Sequence, residues 1–283
     1  MRGLCDCHMH VFGPPEHYPG APNRTYQPSE KGFAAYRPMA DRLGIERVVI
    51  VQPSAYGTDN RCTLDALQAR GADTRAVVVV DPGIADEDLA AMDRLGVRGV
   101  RLNLMSPRID DTAAAAEALN AAAQKIERLG WHIQIYADLD LVALLAPAVR
   151  QARVPVVFDH MGGAKATGSV DDPRFQLLLD LLAEGRCWVK LSGADIVTWE
   201  NRDFGGASPF ARALIAANSR QLVWGSDWPH LVHHASGLGD AAPPAGYRPV
   251  EEEALLSFLK DWAGDEATLQ AILVDNPARL YRF

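Results

Sequence analysis

Short apolar runs rich in β-branched residues alternate along the chain with longer stretches whose apolar positions recur at helical spacing. The short runs predict eight strands, at Leu4–His8, Arg47–Gln52, Ala76–Asp81, Gly99–Leu102, His132–Tyr136, Val154–His160, Trp188–Ser192 and Leu222–Asp227. Runs such as Val48-Val49-Ile50-Val51 and Val77-Val78-Val79-Val80 are apolar throughout, which suits strands covered on both faces, as in a parallel sheet. The longer stretches predict helices at Phe33–Leu43, Cys62–Ala69, Asp86–Leu95, Ala113–Leu129, Leu139–Gln151, Phe175–Ala183, Phe210–Ala217, Val250–Trp262 and Glu266–Val274. Gly44, Gly71, Gly96 and Gly130 stand where left-handed helix ends are expected, and Asn276-Pro277 reads as a start signal for a last helical turn.

Eight strand–helix units in 283 residues predict an α/β fold, one (β/α)₈ barrel of the TIM type filling residues 1–283. The competing architecture, an open doubly wound sheet, wants a glycine-rich first turn. Here that turn reads Gly13-Pro14-Pro15. The irregular stretches Val11–Lys31, Met161–Pro173, Gly193–Ser208 and Trp228–Pro249 all follow strands, and loops in that position build a barrel's active site. Composition is that of an ordinary globular protein: 48% apolar, 23% charged, net charge −8. No basic run points to nucleic acid, and no apolar run is of membrane-spanning length. Met1-Arg2-Gly3-Leu4-Cys5 runs straight into a strand, so a cytoplasmic protein without a signal peptide is expected. Cys5, Cys7, Cys62 and Cys187 are read as reduced thiols. The outward helix faces specify no oligomeric state.

The polar residues at the predicted strand ends carry the candidate chemistry. In Asp6-Cys7-His8-Met9-His10, side chains two apart share a face, so His8 and His10 converge with Asp6 behind them and the cysteines opposite. Two imidazoles there can hold a divalent metal or polarise a carbonyl. Asp227, ending strand eight, is the candidate general base, and His160, ending strand six before Gly162-Gly163, a further site histidine. Strand two leads to Gln52 and Ser54, and strand seven gives Lys190 and Ser192. Arg101 ends strand four and suits an anion; Arg108, further along, would by itself be read as a surface charge. Tyr26 and Tyr136 could donate to substrate oxygens or simply pack. His132 starts its strand and is read as structural. His17, His233 and His234 are read as solvated, and His230 lies between rim and structure.

Four segments in this order, Asp6-Cys7-His8-Met9-His10, Asp159-His160-Met161-Gly162, Gly225-Ser226-Asp227-Trp228-Pro229-His230 and Asp275-Asn276-Pro277-Ala278-Arg279-Leu280-Tyr281, resemble the amidohydrolase superfamily, in the branch that contains pyrone-dicarboxylate and sugar-lactone hydrolases. The resemblance implies a barrel that opens a small, carboxylated lactone. Asp227 would activate water, and His8, His10 and His160 would polarise the carbonyl. Tyr26, Ser54, Arg101, Arg108 and Tyr136 would bind the carboxylates and ring oxygens. Many superfamily members carry a metal-bridging lysine on strand four and a histidine on strand five. Arg101 and Tyr136 stand there instead, so no binuclear site and no required metal are expected, although His8, His10, His160 and Asp227 could hold one zinc. The pyrone enzymes offer another arginine after strand seven, where this chain reads Ser192-Gly193-Ala194-Asp195-Ile196. Arg202 could reach in, but Asp195 would repel a second carboxylate. A metal-dependent decarboxylase, a sugar-lactone hydrolase or isomerase, and a non-catalytic anion binder are the competing readings.

Overall fold

The computed structural model describes residues 1–105, 112–198, 204–232 and 238–283. Eight strands alternate with helices: β1 (Cys5–Met9), α1 (Phe33–Leu43), β2 (Arg47–Val51), α2 (Arg61–Arg70), β3 (Thr74–Val78), α3 (Asp86–Leu95), β4 (Val97–Asn103), α4 (Thr112–Ile126), β5 (His132–Tyr136), α5 (Leu139–Gln151), β6 (Val156–Phe158), α6 (Pro173–Ala183), β7 (Trp188–Leu191), a single turn α7 (Ala194–Val197), α8 (Ser208–Asn218) and β8 (Leu222–Trp224). Three more helices follow, α9 (Glu252–Ala263), α10 (Glu266–Gln270) and α11 (Asn276–Tyr281). Neighbouring strands pair in parallel and in chain order from β1 to β8. The ring closes where Met9 bridges Trp228, with the Asp227 amide donating to the His8 carbonyl at 2.8 Å and the His10 amide to the Trp228 carbonyl at 2.9 Å. This is the expected (β/α)₈ barrel, and its closing rungs are made by the candidate site residues themselves. No helix among the described residues is long and apolar enough to cross a membrane.

Three strands stop earlier than their apolar runs suggest, each for a local reason. The third run leaves the sheet at Val79, whose amide and carbonyl are taken by the Asn60 side chain at 3.0 and 2.7 Å. Strand β6 ends at Phe158 because His160 and Met161 turn to positive φ, 51° and 54°. Strand β8 ends at Trp224; a side chain at Gly225 would stand 2.6 Å from the His8 Cβ, and Asp227 turns to φ 65°. Positive φ is uncommon for residues other than glycine and clusters at functional sites. Here it turns the side chains of His160 and Asp227 toward each other at the mouth.

The strands alternate an outward face, packed on the helices, with an inward one. Cys5, Cys7, Val49, Val51, Val77, Val157, Trp188 and Val223 form one buried cluster with Leu280 and Tyr281 from α11. This cluster fills the lower barrel, and α11 plugs it. Asn276 holds the plug by donating to the Ser219 and Leu222 carbonyls, both at 2.8 Å. His132 lies at the same end, its ring edge-on to Tyr281 at 5.2 Å, in the space a side chain at Gly99 would take. The structural reading of His132 stands. The strand register shifts between Asp6 and Met9, which corrects one expectation. Cys5 and Cys7 face the interior, as His8 and His10 do, while Asp6 faces α1 and accepts from the Tyr36 hydroxyl at 2.9 Å. An irregularity of this kind breaks the period-two rule on which the expectation rested. The two buried thiols form no disulfide; Cys7 Sγ donates to Cys5 Sγ at 3.6 Å.

Candidate active site

Asp227 Oδ1 stands at the centre of three imidazoles. It is 3.6 Å from His8 Nε2, 3.8 Å from His10 Nε2 and 3.7 Å from His160 Nε2. The other nitrogens are committed. His10 Nδ1 is 2.8 Å from the Val51 carbonyl oxygen, which can only accept. His8 Nδ1 is 3.3 Å from Asp159 Oδ1, which can only accept, and 3.3 Å from Lys190 Nζ, a donor. In His10 the proton therefore sits on Nδ1, and Nε2 presents a lone pair to the site; His8, between a carboxylate and an ammonium, is fixed in neither tautomer by these contacts. His160 Nδ1 faces the Ser192 hydroxyl at 3.0 Å, which can donate as well as accept, so its Nε2 can carry a proton.

Beneath His8 lies a fully buried polar layer. Lys190 Nζ donates to the Cys7 carbonyl at 2.9 Å and to Gln134 Oε1 at 2.7 Å, and lies 3.5 Å from Asp159 Oδ1. Gln134 Nε2 and Arg101 Nη2 reach Asp159 Oδ2 at 3.0 and 3.4 Å. Burial works against a charged Asp159, but His8, Lys190 and Arg101 together hold its carboxyl well below the usual range. It is the buried anion beside His8 and Lys190.

Burial governs the remaining protonation states. It holds His8 and His160 well below the usual imidazole range and takes His10 down to about 3, with Arg101 adding to the effect. The same burial, together with the Asp195 carboxylate, raises Asp227 to about 7. A base poised near neutrality among neutral imidazoles suits removal of a proton from water. Burial pushes Tyr26 and Tyr136 up to about 12, so both remain donors.

These groups open onto a cavity of about 320 Å³. His10, His160 and Asp227 form part of its wall with Tyr26, Ser54, Arg101 and Tyr136, while His8 is buried behind them. The Arg101 guanidinium lies 5.8 Å from the Tyr136 ring centre, and that ring stands edge-on to His160 at 5.3 Å. Of the expected site residues, Arg108 lies outside the described residues, as do Arg202, His233 and His234. Gln52 turns away, accepting from Thr63 and donating to the Gly57 and Asp59 carbonyls. His17 is exposed.

Against known proteins, the amidohydrolase family profile matches residues 5–283. The chain belongs to the amidohydrolase family. Along its whole length it is similar to a 2-pyrone-4,6-dicarboxylate hydrolase of Comamonas testosteroni, 34% identical over 99% of this chain and 90% of that one. It is similarly close to a 4-sulfomuconolactone hydrolase of Hydrogenophaga intermedia, 33% identical over 99% and 88%. A solved structure from Pseudomonas putida described as a 2-pyrone-4,6-dicarboxylic acid hydrolase superposes with a TM-score of 0.83 at 30% identity, covering 99% of this chain and 97% of that one.

Amidohydrolases often use a metal, and this member has donors that fit one. His8, His10 and Asp227 bring three ligand atoms within 4.8 Å of one another, and His8, Asp159 and His160 form a second such group. His8 Nε2 is buried with no hydrogen-bond partner. The His10 lone pair, His8 Nε2 and a carboxylate oxygen that converge here suit a divalent cation, with the His8 proton on Nδ1 when it binds.

Sequence reasoning missed the far side of Asp227. Arg248 donates through Nε to Asp195 Oδ2 at 2.8 Å and pairs with it through Nη2, so the Asp195 charge expected to repel an anion is compensated. His230 is buried, 3.9 Å from Asp195 and 3.6 Å from Glu252. Arg248 sits 21 residues beyond Asp227, at the end of an irregular segment; no spacing rule could have placed it.

Proposed function

We propose that this amidohydrolase opens a small lactone carrying at least one anionic group, yielding the open-chain acid. The observation that carries the reading is Asp227, raised to about 7, set among three imidazole nitrogens on the wall of a cavity that also offers Arg101, Tyr26, Ser54 and Tyr136. Relatives of about one-third identity over nearly the whole chain that are named as lactone hydrolases support it.

In this reaction the substrate anion pairs with Arg101, and the two tyrosine hydroxyls and Ser54 fix the ring oxygens. A water gives its hydrogens to Asp227 Oδ1 and to the imidazole lone pair of His10, which aims its own lone pair at the lactone carbonyl carbon. Asp227 takes the proton as the new C–O bond forms. The carbonyl oxygen becomes an oxyanion and is met by an imidazole able to donate from Nε2, that of His160. The carbonyl reforms, the ring C–O bond breaks, and the departing oxygen recovers the proton from Asp227. In this reading His160 polarises the carbonyl, with His8 beside it, while His10 holds the water. A divalent cation bound by His8, His10, His160 and Asp227 would acidify the water and polarise the carbonyl. Asp227 has the basicity to work without one.

The test is turnover of a lactone panel by the purified protein. 2-Pyrone-4,6-dicarboxylate is followed by loss of pyrone absorbance, a sulfonated muconolactone and sugar lactones by acid release, and carbon dioxide is assayed in parallel. Opening of at least one anionic lactone is expected. Carbon dioxide release without ring opening would make it a decarboxylase, and binding without turnover an anion-binding barrel.

A further inference from the structure

The two oxygens of Asp227 have different surroundings. Oδ1 faces the imidazoles, whereas Oδ2 lies 3.7 Å from Arg248 Nη2. Arg248 is delivered there by a segment whose backbone is held on both sides. Its amide donates to the His230 carbonyl at 2.8 Å, the Val232 amide donates to the Gly246 carbonyl at 2.9 Å, and Leu231 and Tyr247 pair as an antiparallel bridge. The same segment is laced to the loop after β1, where the Ala245 amide donates to the Gln27 carbonyl at 2.7 Å. The guanidinium is then fixed by Asp195 and by the Leu231 carbonyl. Asp195 belongs to the single turn that follows β7, so the guanidinium ties the loops after β7 and β8 together.

We propose that Arg248, itself oriented by Asp195, is a positioning residue: it holds the Asp227 carboxylate so that Oδ1 stays turned toward the three imidazoles. The terminal torsion of an aspartate is soft and nearly two-fold. A carboxylate with a partner on one oxygen only can therefore rotate at little cost, and a planar, rigid guanidinium on the far side removes that freedom. Arg248 is placed for this role rather than for holding substrate. Its side chain borders a neighbouring cavity of about 370 Å³ with Asp195, Phe204, Tyr247 and Val250, while the catalytic cavity draws its guanidinium from Arg101.

The inference rests on the reading of Asp227 as the base, so one arm of its test needs no substrate. In crystal structures of wild type and R248Q, the variant is expected to show Asp227 rotated away from His8, His10 and His160. On a lactone the wild type opens, R248Q should lose about tenfold to a hundredfold in kcat, as for a misplaced catalytic group, with KM within about twofold. R248K should recover part of the loss, and added guanidinium should partly rescue Arg248→Gly. D195N should also lower kcat, and R248Q/D195N should be no worse than R248Q, because the two residues act as one unit. A rise in KM at unchanged kcat would overturn the proposal and make Arg248 a substrate-binding residue. An unmoved Asp227 in R248Q would overturn it too. If the wild type opens no lactone, the functional reading fails, and the crystal structures still decide whether Arg248 positions Asp227.

Discussion

His10 Nδ1 lies 2.8 Å from the carbonyl oxygen of Val51, and that contact decides what the other ring nitrogen can do. A carbonyl has no hydrogen, so His10 must donate from Nδ1 and present a bare Nε2 to Asp227. Burial keeps His10 neutral down to about pH 3. Long-range proton–nitrogen NMR spectra of the ring nitrogens should therefore show His10 protonated at Nδ1 and bare at Nε2, with no change between pH 8 and about 5. An Nε2–H signal from His10 at neutral pH would undo its assignment as an acceptor.

Asp227 should be indispensable for turnover and dispensable for folding. D227N keeps the shape but cannot take a proton, so turnover should fall at least about a hundredfold, the lower end of what a general base contributes. The melting temperature should be unchanged or higher, since the substitution removes a charge that burial opposes. In the wild type only ionised Asp227 is active. With its carboxyl raised to about 7, kcat/KM should fall about tenfold for each pH unit below that point and level off above it. A profile flat down to pH 5 would mean that another group takes the proton.

Much of this site is legible in the sequence because a barrel gathers strand ends. His8, Arg101, Tyr136, His160 and Asp227 are far apart in the chain, yet each follows from finding where an apolar run ends. What the sequence hides has identifiable causes. The register shift in β1 turns Asp6 outward, and no periodic pattern announces it. The third apolar run continues past the sheet because Asn60, nineteen residues before Val79, supplies the bonds a neighbouring strand would. Imidazole tautomers depend on partners such as Val51 and Asp159, and Arg248 arrives on an irregular segment. Local patterns report elements and their ends; pairings across the barrel are set only by closure.

The same convergence of acceptors makes a prediction about metals. Protein stripped with a chelator should bind one equivalent of zinc in a calorimetric titration, and His10→Ala or Asp227→Asn should weaken that binding markedly, since each removes a ligand atom. Turnover should survive chelation, because Asp227 near neutrality is a sufficient base. If chelation removes turnover and zinc restores it, water activation belongs to the cation and the acidic limb of the pH profile should move below 7.

The outward turn of Asp6 also has a measurable cost when disturbed. Its carboxylate accepts from the Tyr36 hydroxyl at 2.9 Å, the Ser226 hydroxyl at 2.6 Å, and the Ser226 and His8 amides at 2.9 and 3.0 Å. These bonds tie β1 to α1 and to the end of β8, where the barrel closes. Tyr36→Phe removes one of four donors from a buried carboxylate and should cost about 1–3 kcal/mol in denaturant unfolding, as expected for a hydrogen bond to a charged group. Asp6→Ala strands all the donors and should cost more, with loss of activity following because Ser226 adjoins Asp227. A Tyr36→Phe protein as stable as wild type would show that Asp6 does not need this bond.

Arg101 has two tasks, and a substitution should separate them. One side of the guanidinium steadies Asp159 and the Gln52 carbonyl at 3.4 and 3.3 Å; the other faces the cavity beside Tyr136. If it receives the substrate's anionic group, R101Q should raise KM for an anionic lactone by about tenfold to a hundredfold, the worth of a charge-assisted hydrogen bond of about 1.5–3 kcal/mol. For an uncharged lactone of the same ring size, KM should change little. Any loss common to both substrates then measures the second task, because Asp159 without Arg101 holds His8 less firmly. Steady-state kinetics on the matched pair gives both numbers. Equal KM effects on charged and uncharged lactones would remove Arg101 from substrate recognition and leave it as a support for Asp159 alone.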